Sequence, residues 1–130
     1  MNIFRKLYCR TVQGLFRLAV PFMPIHEPKL LSDCGEIGTL FAQKGVTRAL
    51  IITGPSVRRH GLVAPVEEAL RNQNIFFEIY DKTPANPTVS AIEEAYTLYS
   101  ERGCDGMIAV GGGSPMDCAK GVCARVIQPY

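Results

Sequence analysis

Met107-Ile108-Ala109-Val110-Gly111-Gly112-Gly113-Ser114-Pro115-Met116-Asp117 is the stretch whose reading decides the fold. A short apolar run meets three glycines, then a serine, a proline and an acid, then a helix-compatible segment. The pattern predicts a buried strand that turns tightly into a helix. Ser114 suits the N-cap and Pro115 the first helical position, where a missing N–H costs nothing. Gly111, Gly112 and Gly113 carry no Cβ, so a ligand can approach bare backbone and positive φ is permitted. Such a corner cradles anions, in an α/β sheet most often a phosphate. A corner that merely turns the chain remains an alternative, because neither G-x-G-x-x-G nor the P-loop pattern is present.

Upstream, strands and helices alternate. Residues 48–53 form a continuous apolar run, as expected of a strand buried on both faces. Residues 75–80 predict the second strand and 106–110 the third. Between them the spacing predicts helices over 57–72, with Gly61 as a soft spot, and 89–102, capped by Asn86 or Thr88. A helix over 35–43 precedes the first strand, and one over 115–126 follows the glycines. Residues 29–32 are a candidate short strand or extended segment. The connections are too long for hairpins, so the strands are parallel and joined by right-handed crossovers. All three strands then end on one edge, at Thr53-Gly54, Tyr80-Asp81 and Val110-Gly111. The fold class is a Rossmann-like α/β sheet flanked by helices.

Residues 1–28 stand apart. Phe4, Leu7, Tyr8, Thr11, Val12, Leu15, Phe16 and Ala19 recur at helical spacing, and Pro21 and Pro24 end the helix. Arg5, Lys6, Arg10 and Arg17 precede the first acid, Glu27. Docking on the chain's own body is the expectation; an anionic membrane surface or a partner is the alternative. The division expected is a helical extension over 1–28 and an α/β domain over 29–130.

At 130 residues with 47% apolar content the chain has the makings of one core, and a net charge of +2 argues against nucleic-acid binding. No apolar run approaches a membrane span. Five cysteines without a C-x-x-C pair point to free thiols in a reducing cytosol. His26 and His60 lack metal-ligand spacing.

Asp117 falls three residues after Ser114, a relative of the capping box, and Lys120 is placed to pair with it. After the first strand, nicotinamide-binding sheets often carry an acid that accepts from the ribose 2′-OH. Here the corner is Gly54-Pro55-Ser56, followed by Arg58, Arg59 and His60. A neutral corner with arginines nearby tolerates or attracts the 2′-phosphate of NADP, although a solvated helix face also explains both arginines.

Residues 105–120 resemble the GGGSxxDxAK signature of the iron-containing (group III) alcohol dehydrogenases. Pro84-Ala85-Asn86-Pro87-Thr88 resembles that family's NPT loop, and Thr53-Gly54-Pro55-Ser56 falls where the family has its TD or TG corner. The resemblance implies an NAD(P)-dependent oxidoreductase that interconverts alcohols and aldehydes. Gly112, Gly113 and Ser114 would hold the pyrophosphate, Asn86 would border the nicotinamide and Asp117 would lie near the active cleft. Gly54, Ser56 and Gly111 complete the cofactor contacts. Glycine at position 54, where NAD-preferring members carry aspartate, leans towards NADP(H).

Family members also carry a helical domain whose aspartate and three histidines bind iron or another divalent metal. Those ligands are absent here, so the expectation is a cofactor-binding half that is inactive alone. Two alternatives stay open: a non-catalytic nucleotide-binding fragment, and a relative of glycerol dehydrogenase or dehydroquinate synthase. Apolar surface left uncovered predicts aggregation or a homo-oligomer.

Overall fold

The computed structural model describes residues 3–22 and 28–128, with side chains from residue 7 onward. Pro24 and His26, read above as a helix terminator and a surface residue, lie outside the described residues. The chain divides into two compact units, Met1–Leu30 and Leu31–Tyr130.

In the first unit, helix α1 spans Ile3–Ala19 and a single 3-10 turn, Val20–Phe22, takes up Pro21. The helix runs unbroken through Gly14, in line with the periodicity.

The second unit holds α2 (Gly35–Gln43), β1 (Arg48–Thr53), α3 (Pro55–Arg59), α4 (Ala64–Asn72), β2 (Phe76–Tyr80), α5 (Val89–Glu101), β3 (Gly106–Val110) and α6 (Gly113–Ile127). The three strands are parallel in the order β2-β1-β3. β1 is central because its Ala-Leu-Ile-Ile run offers apolar side chains to both faces, and Ala49, Leu50, Ile51 and Ile52 are wholly buried. Ala49 and Ile51 pack with Val63, Val66 and Leu70 on the α4 face. Leu50 and Ile52 pack with Ala95, Cys118 and Val122 on the α5–α6 face. Each such leucine or isoleucine contributes roughly 1.5–3 kcal/mol by leaving water. Gly121 lets α6 lie close on α5, since a Cβ there would come within 2.5 Å of Ile92 Cδ1.

The amino ends of the strands are tied by Asp105, whose carboxylate accepts from the Thr47 N–H (2.9 Å), the Thr47 hydroxyl (2.8 Å) and the Arg48 N–H (2.8 Å). Burial pushes the Asp105 carboxyl up, but these donors outweigh it and hold it below the usual aspartate range.

One expectation is corrected. The helix read over 57–72 is two helices, because Gly61 adopts a left-handed φ of +70° between α3 and α4 and the chain turns there. Of the two readings of residues 29–32, the strand is not formed: they join no sheet, their apolar run is only Leu30-Leu31, and Leu30 is 90% exposed.

The order β2-β1-β3 has a functional consequence. From β1 the chain crosses to one side to form β2, then returns past β1 to form β3 on the other. The carboxyl ends of β1 and β3 therefore flank a topological switch point, where open α/β sheets leave a crevice for ligands.

Candidate functional site

The corner after β1, Gly54-Pro55-Ser56, and the corner after β3, Gly111-Gly112-Gly113-Ser114, meet at this switch point. One residue binds them together. Thr53, wholly buried at the end of β1, is in register with Val110, and its hydroxyl donates to the Val110 carbonyl at 2.8 Å. The Thr53 carbonyl in turn accepts from the Thr83 N–H at 3.3 Å, which draws the β2–α5 loop across the end of β1. Thr83 is itself buried, near the Cys118 thiol of α6, and its hydroxyl has no hydrogen-bond partner among the described residues. Burial pushes that thiol up and the Thr83 hydroxyl partly offsets the shift.

Neither threonine emerges as a site residue from the sequence, although Thr53 carried a signal: it is the one polar residue closing an apolar strand. Replacing Thr53 by valine keeps its shape and leaves the Val110 carbonyl without its donor. We expect a loss of about 1–2 kcal/mol in urea unfolding; serine restores the donor but removes a buried methyl, at a cost of about 1 kcal/mol.

The three glycines separate into two kinds. Gly111 is structural: its φ is +136°, and a Cβ there would sit 3.0 Å from Pro115 Cγ and 3.3 Å from Val57 Cγ2. Gly112 (φ −85°, ψ −153°) and Gly113, the first residue of α6, need no glycine for backbone reasons. A Cβ on either would meet nothing within 4 Å. Both face open space at the crevice, on the first turn of a 15-residue helix. The N–H groups of Gly112, Gly113 and Ser114 have no intrahelical acceptor there, and Pro115 has no N–H to leave unpaired. This is a cradle for an anion, with the helix dipole adding to the attraction.

The capping expectations change. The N-cap of α6 is Gly112, not Ser114, and no side chain caps the helix. The tight turn brings the helix two residues further forward than a serine cap would. Asp117 is therefore not a capping acid; it pairs with Lys120 at 3.3 Å, both side chains being mostly exposed. In the third corner Thr88, not Asn86, caps α5, its Oγ1 accepting from the Ala91 N–H at 3.3 Å. Asn86 adopts φ +58° on the exposed loop, a conformation asparagine tolerates, and makes no hydrogen bond to either glycine corner.

Gly54 has an extended backbone (φ −101°, ψ 159°), and its Cβ position lies 3.5 Å from the Thr83 carbonyl, an ordinary contact. Fold and packing would thus admit a side chain here. Of the three basic residues that follow, Arg58 is bonded to the Glu67 carboxylate, which also accepts from Arg71 at 2.8 Å. Burial would raise the Glu67 carboxyl, yet the two arginines together hold it below its usual value. His60 Nδ1 lies 2.7 Å from the Ser56 carbonyl. Arg59 is exposed and, among the described residues, forms no ion pair.

A separate hollow of about 400 Å³ lies between β2 and α5. Three of its polar groups bond one another: Glu94 accepts from Lys82 Nζ (2.9 Å) and from the Tyr80 hydroxyl (3.2 Å). Burial and the Glu94 charge push that phenol up to about 12. The hollow is apart from the glycine corners.

Among the described residues no three of His, Cys, Asp or Glu come together to hold a metal ion, and no helix is long and apolar enough to cross a membrane. The five cysteines are free thiols, Cys104 and Cys118 buried and the other three exposed.

Comparison with known proteins gives the same picture of likeness. The family model described as iron-containing alcohol dehydrogenase matches residues 31–129. Choline dehydrogenase of Bacillus subtilis (strain 168) is 39% identical over 112 residues, 86% of this chain and 27% of that protein. 4-Hydroxybutyrate dehydrogenase of Cupriavidus necator is 38% identical over 93 residues, 72% of this chain and 22% of that one. Among solved structures, a 1,3-propanediol oxidoreductase superposes with a TM-score of 0.71 at 28% identity, covering 73% of this chain and 25% of its own. The chain spans about a quarter of the length of the relatives it matches.

Proposed function

The chain belongs to the iron-containing alcohol dehydrogenase family, and on that footing we propose that its α/β unit binds a nicotinamide dinucleotide for an oxidoreductase interconverting alcohols and aldehydes. When bound, the dinucleotide supplies the hydride acceptor or donor. This chain's residues hold it: the N–H groups of Gly112, Gly113 and Ser114 donate to the pyrophosphate, Gly111 shapes the turn beneath it, and Gly54 and Ser56 border the adenosine ribose. Asn86 and Asp117 lie towards the nicotinamide end, Asp117 kept off the phosphates by its pairing with Lys120. The observation that carries the reading is that Gly112 and Gly113 are glycines which neither backbone nor packing requires, on the ligand side of a switch-point crevice.

The finer preference proposed is for NADP(H). It rests on the side-chain-free, extended Gly54 and on the exposed guanidinium of Arg59; Arg58 contributes little, being held by Glu67. The free thiols suit a reducing cytosol, where we place the protein.

Iron does not fit the described residues, since no ligand set converges among them. The expected behaviour of residues 1–130 is therefore binding without turnover. Titrating NADPH against the purified chain, followed by cofactor fluorescence, should give saturable binding and no oxidation of primary alcohols. Absence of saturable binding of NADPH and NADH alike would overturn the cofactor reading, and measurable alcohol oxidation would overturn the inactivity.

A further inference from the structure

Helix α1, in the first unit, is strongly amphipathic. At 100° per residue, Leu7, Leu18, Thr11, Leu15, Tyr8, Val12 and Phe16 fall on one continuous half of the helix. Their large apolar members are exposed, from 59% for Phe16 to 74% for Leu18, apart from Val12 at 37%. Thr11, within that half, turns its hydroxyl back to the Leu7 carbonyl at 2.9 Å, so the polar atom is satisfied by the helix itself. Arg10 and Arg17, seven residues apart, share the opposite side, and no acid occurs before Glu27.

We propose that α1 lies in the plane of an anionic lipid bilayer surface, its apolar half among the acyl chains and its arginines at the headgroups. Apart from Arg5, which falls near the edge of the apolar half, the cations and the named apolar residues take opposite sides of a helix of low overall hydrophobicity, as interfacial binding requires. Charge complementarity selects this occupant. A second copy of α1 carries no acid to meet these cations, whereas an anionic surface attracts every one of them.

The test uses the full chain, sedimented with vesicles of phosphatidylcholine alone or with about one-third phosphatidylglycerol. We expect binding to the anionic vesicles, at least tenfold weaker binding to the neutral ones, and loss in high salt. Arg10→Gln with Arg17→Gln preserves the apolar half and should weaken binding roughly 30-fold. Leu15→Glu should abolish it while leaving NADPH affinity unchanged, which separates this inference from the cofactor reading. Equal binding to both vesicle types, or binding that survives Leu15→Glu, would overturn the proposal. So would a wild-type chain that stays in the supernatant. In that case a dimer by light scattering would assign the face to a second copy, and a lower melting temperature for Leu15→Glu would assign it to the chain's own body.

Discussion

Replacing Gly112 by valine and Gly113 by alanine should leave the chain at least as stable as before and weaken dinucleotide binding at least 100-fold. The two effects have different origins. Gly112 has φ −85° and ψ −153°, an extended conformation at negative φ that is not reserved for glycine, and Gly113 is helical. A Cβ at either meets nothing within 4 Å. Each substitution removes backbone freedom from the unfolded chain, which stabilises by about 0.4–1 kcal/mol where the native conformation is compatible. The new carbons occupy the open space above the first turn of α6, where a pyrophosphate would accept from the N–H groups. Losing hydrogen bonds to a charged group costs about 1.5–3 kcal/mol each, so two suffice for the stated loss. Thermal unfolding and NADPH titration of the same preparation check both parts. The control is Gly111→Ala, which should lower the melting temperature, because a φ of +136° is strained for any side chain and the methyl would crowd the Pro115 ring at 3.0 Å.

Gly54→Asp should reverse the cofactor preference, changing the ratio of NADPH to NADH affinity roughly 100-fold. The backbone at position 54 is extended, and the Thr83 carbonyl at 3.5 Å is an ordinary neighbour, so the aspartate is admitted without rebuilding the corner. Its carboxylate repels a 2′-phosphate and accepts from a 2′-hydroxyl, and the two changes act in the same direction on the ratio. Arg59→Ala should weaken NADPH alone, by a smaller factor. Parallel titrations of the two cofactors read both outcomes. A ratio unchanged within about threefold would remove the assignment of Gly54 to the ribose.

What was legible in the sequence follows from where the determining forces lie. β1 and β3 fall on their expected bounds because each is a continuous apolar run closed by turn residues, and burial of β1 on both faces leaves little choice of register. The crevice followed from alternation and the glycine corner together. Local patterns failed where a distant or non-periodic contact decides. Arg58 finds Glu67 nine residues on, a spacing that no single helix presents on one face, so its withdrawal from the ribose corner was not readable. Gly61 was visible as a weak point, but that it splits the helix depended on its left-handed φ. Ser114 lost its capping role because the turn tightens by two residues, and Asp117 lost its role with it. The pin at Thr53 joins residues 57 apart in the chain, and pairing of that kind leaves no local trace.

The central claim is that the first turn of α6 receives the cofactor's pyrophosphate. The most direct measurement is a titration of isotope-labelled chain with NADPH followed by amide resonances. The account predicts that the Gly112, Gly113 and Ser114 amides move furthest, downfield as hydrogen bonds to phosphate form, with a smaller response at Gly54. Saturable binding that leaves these three amides in place, or that moves instead the residues lining the hollow beside Tyr80 and Glu94, would contradict it.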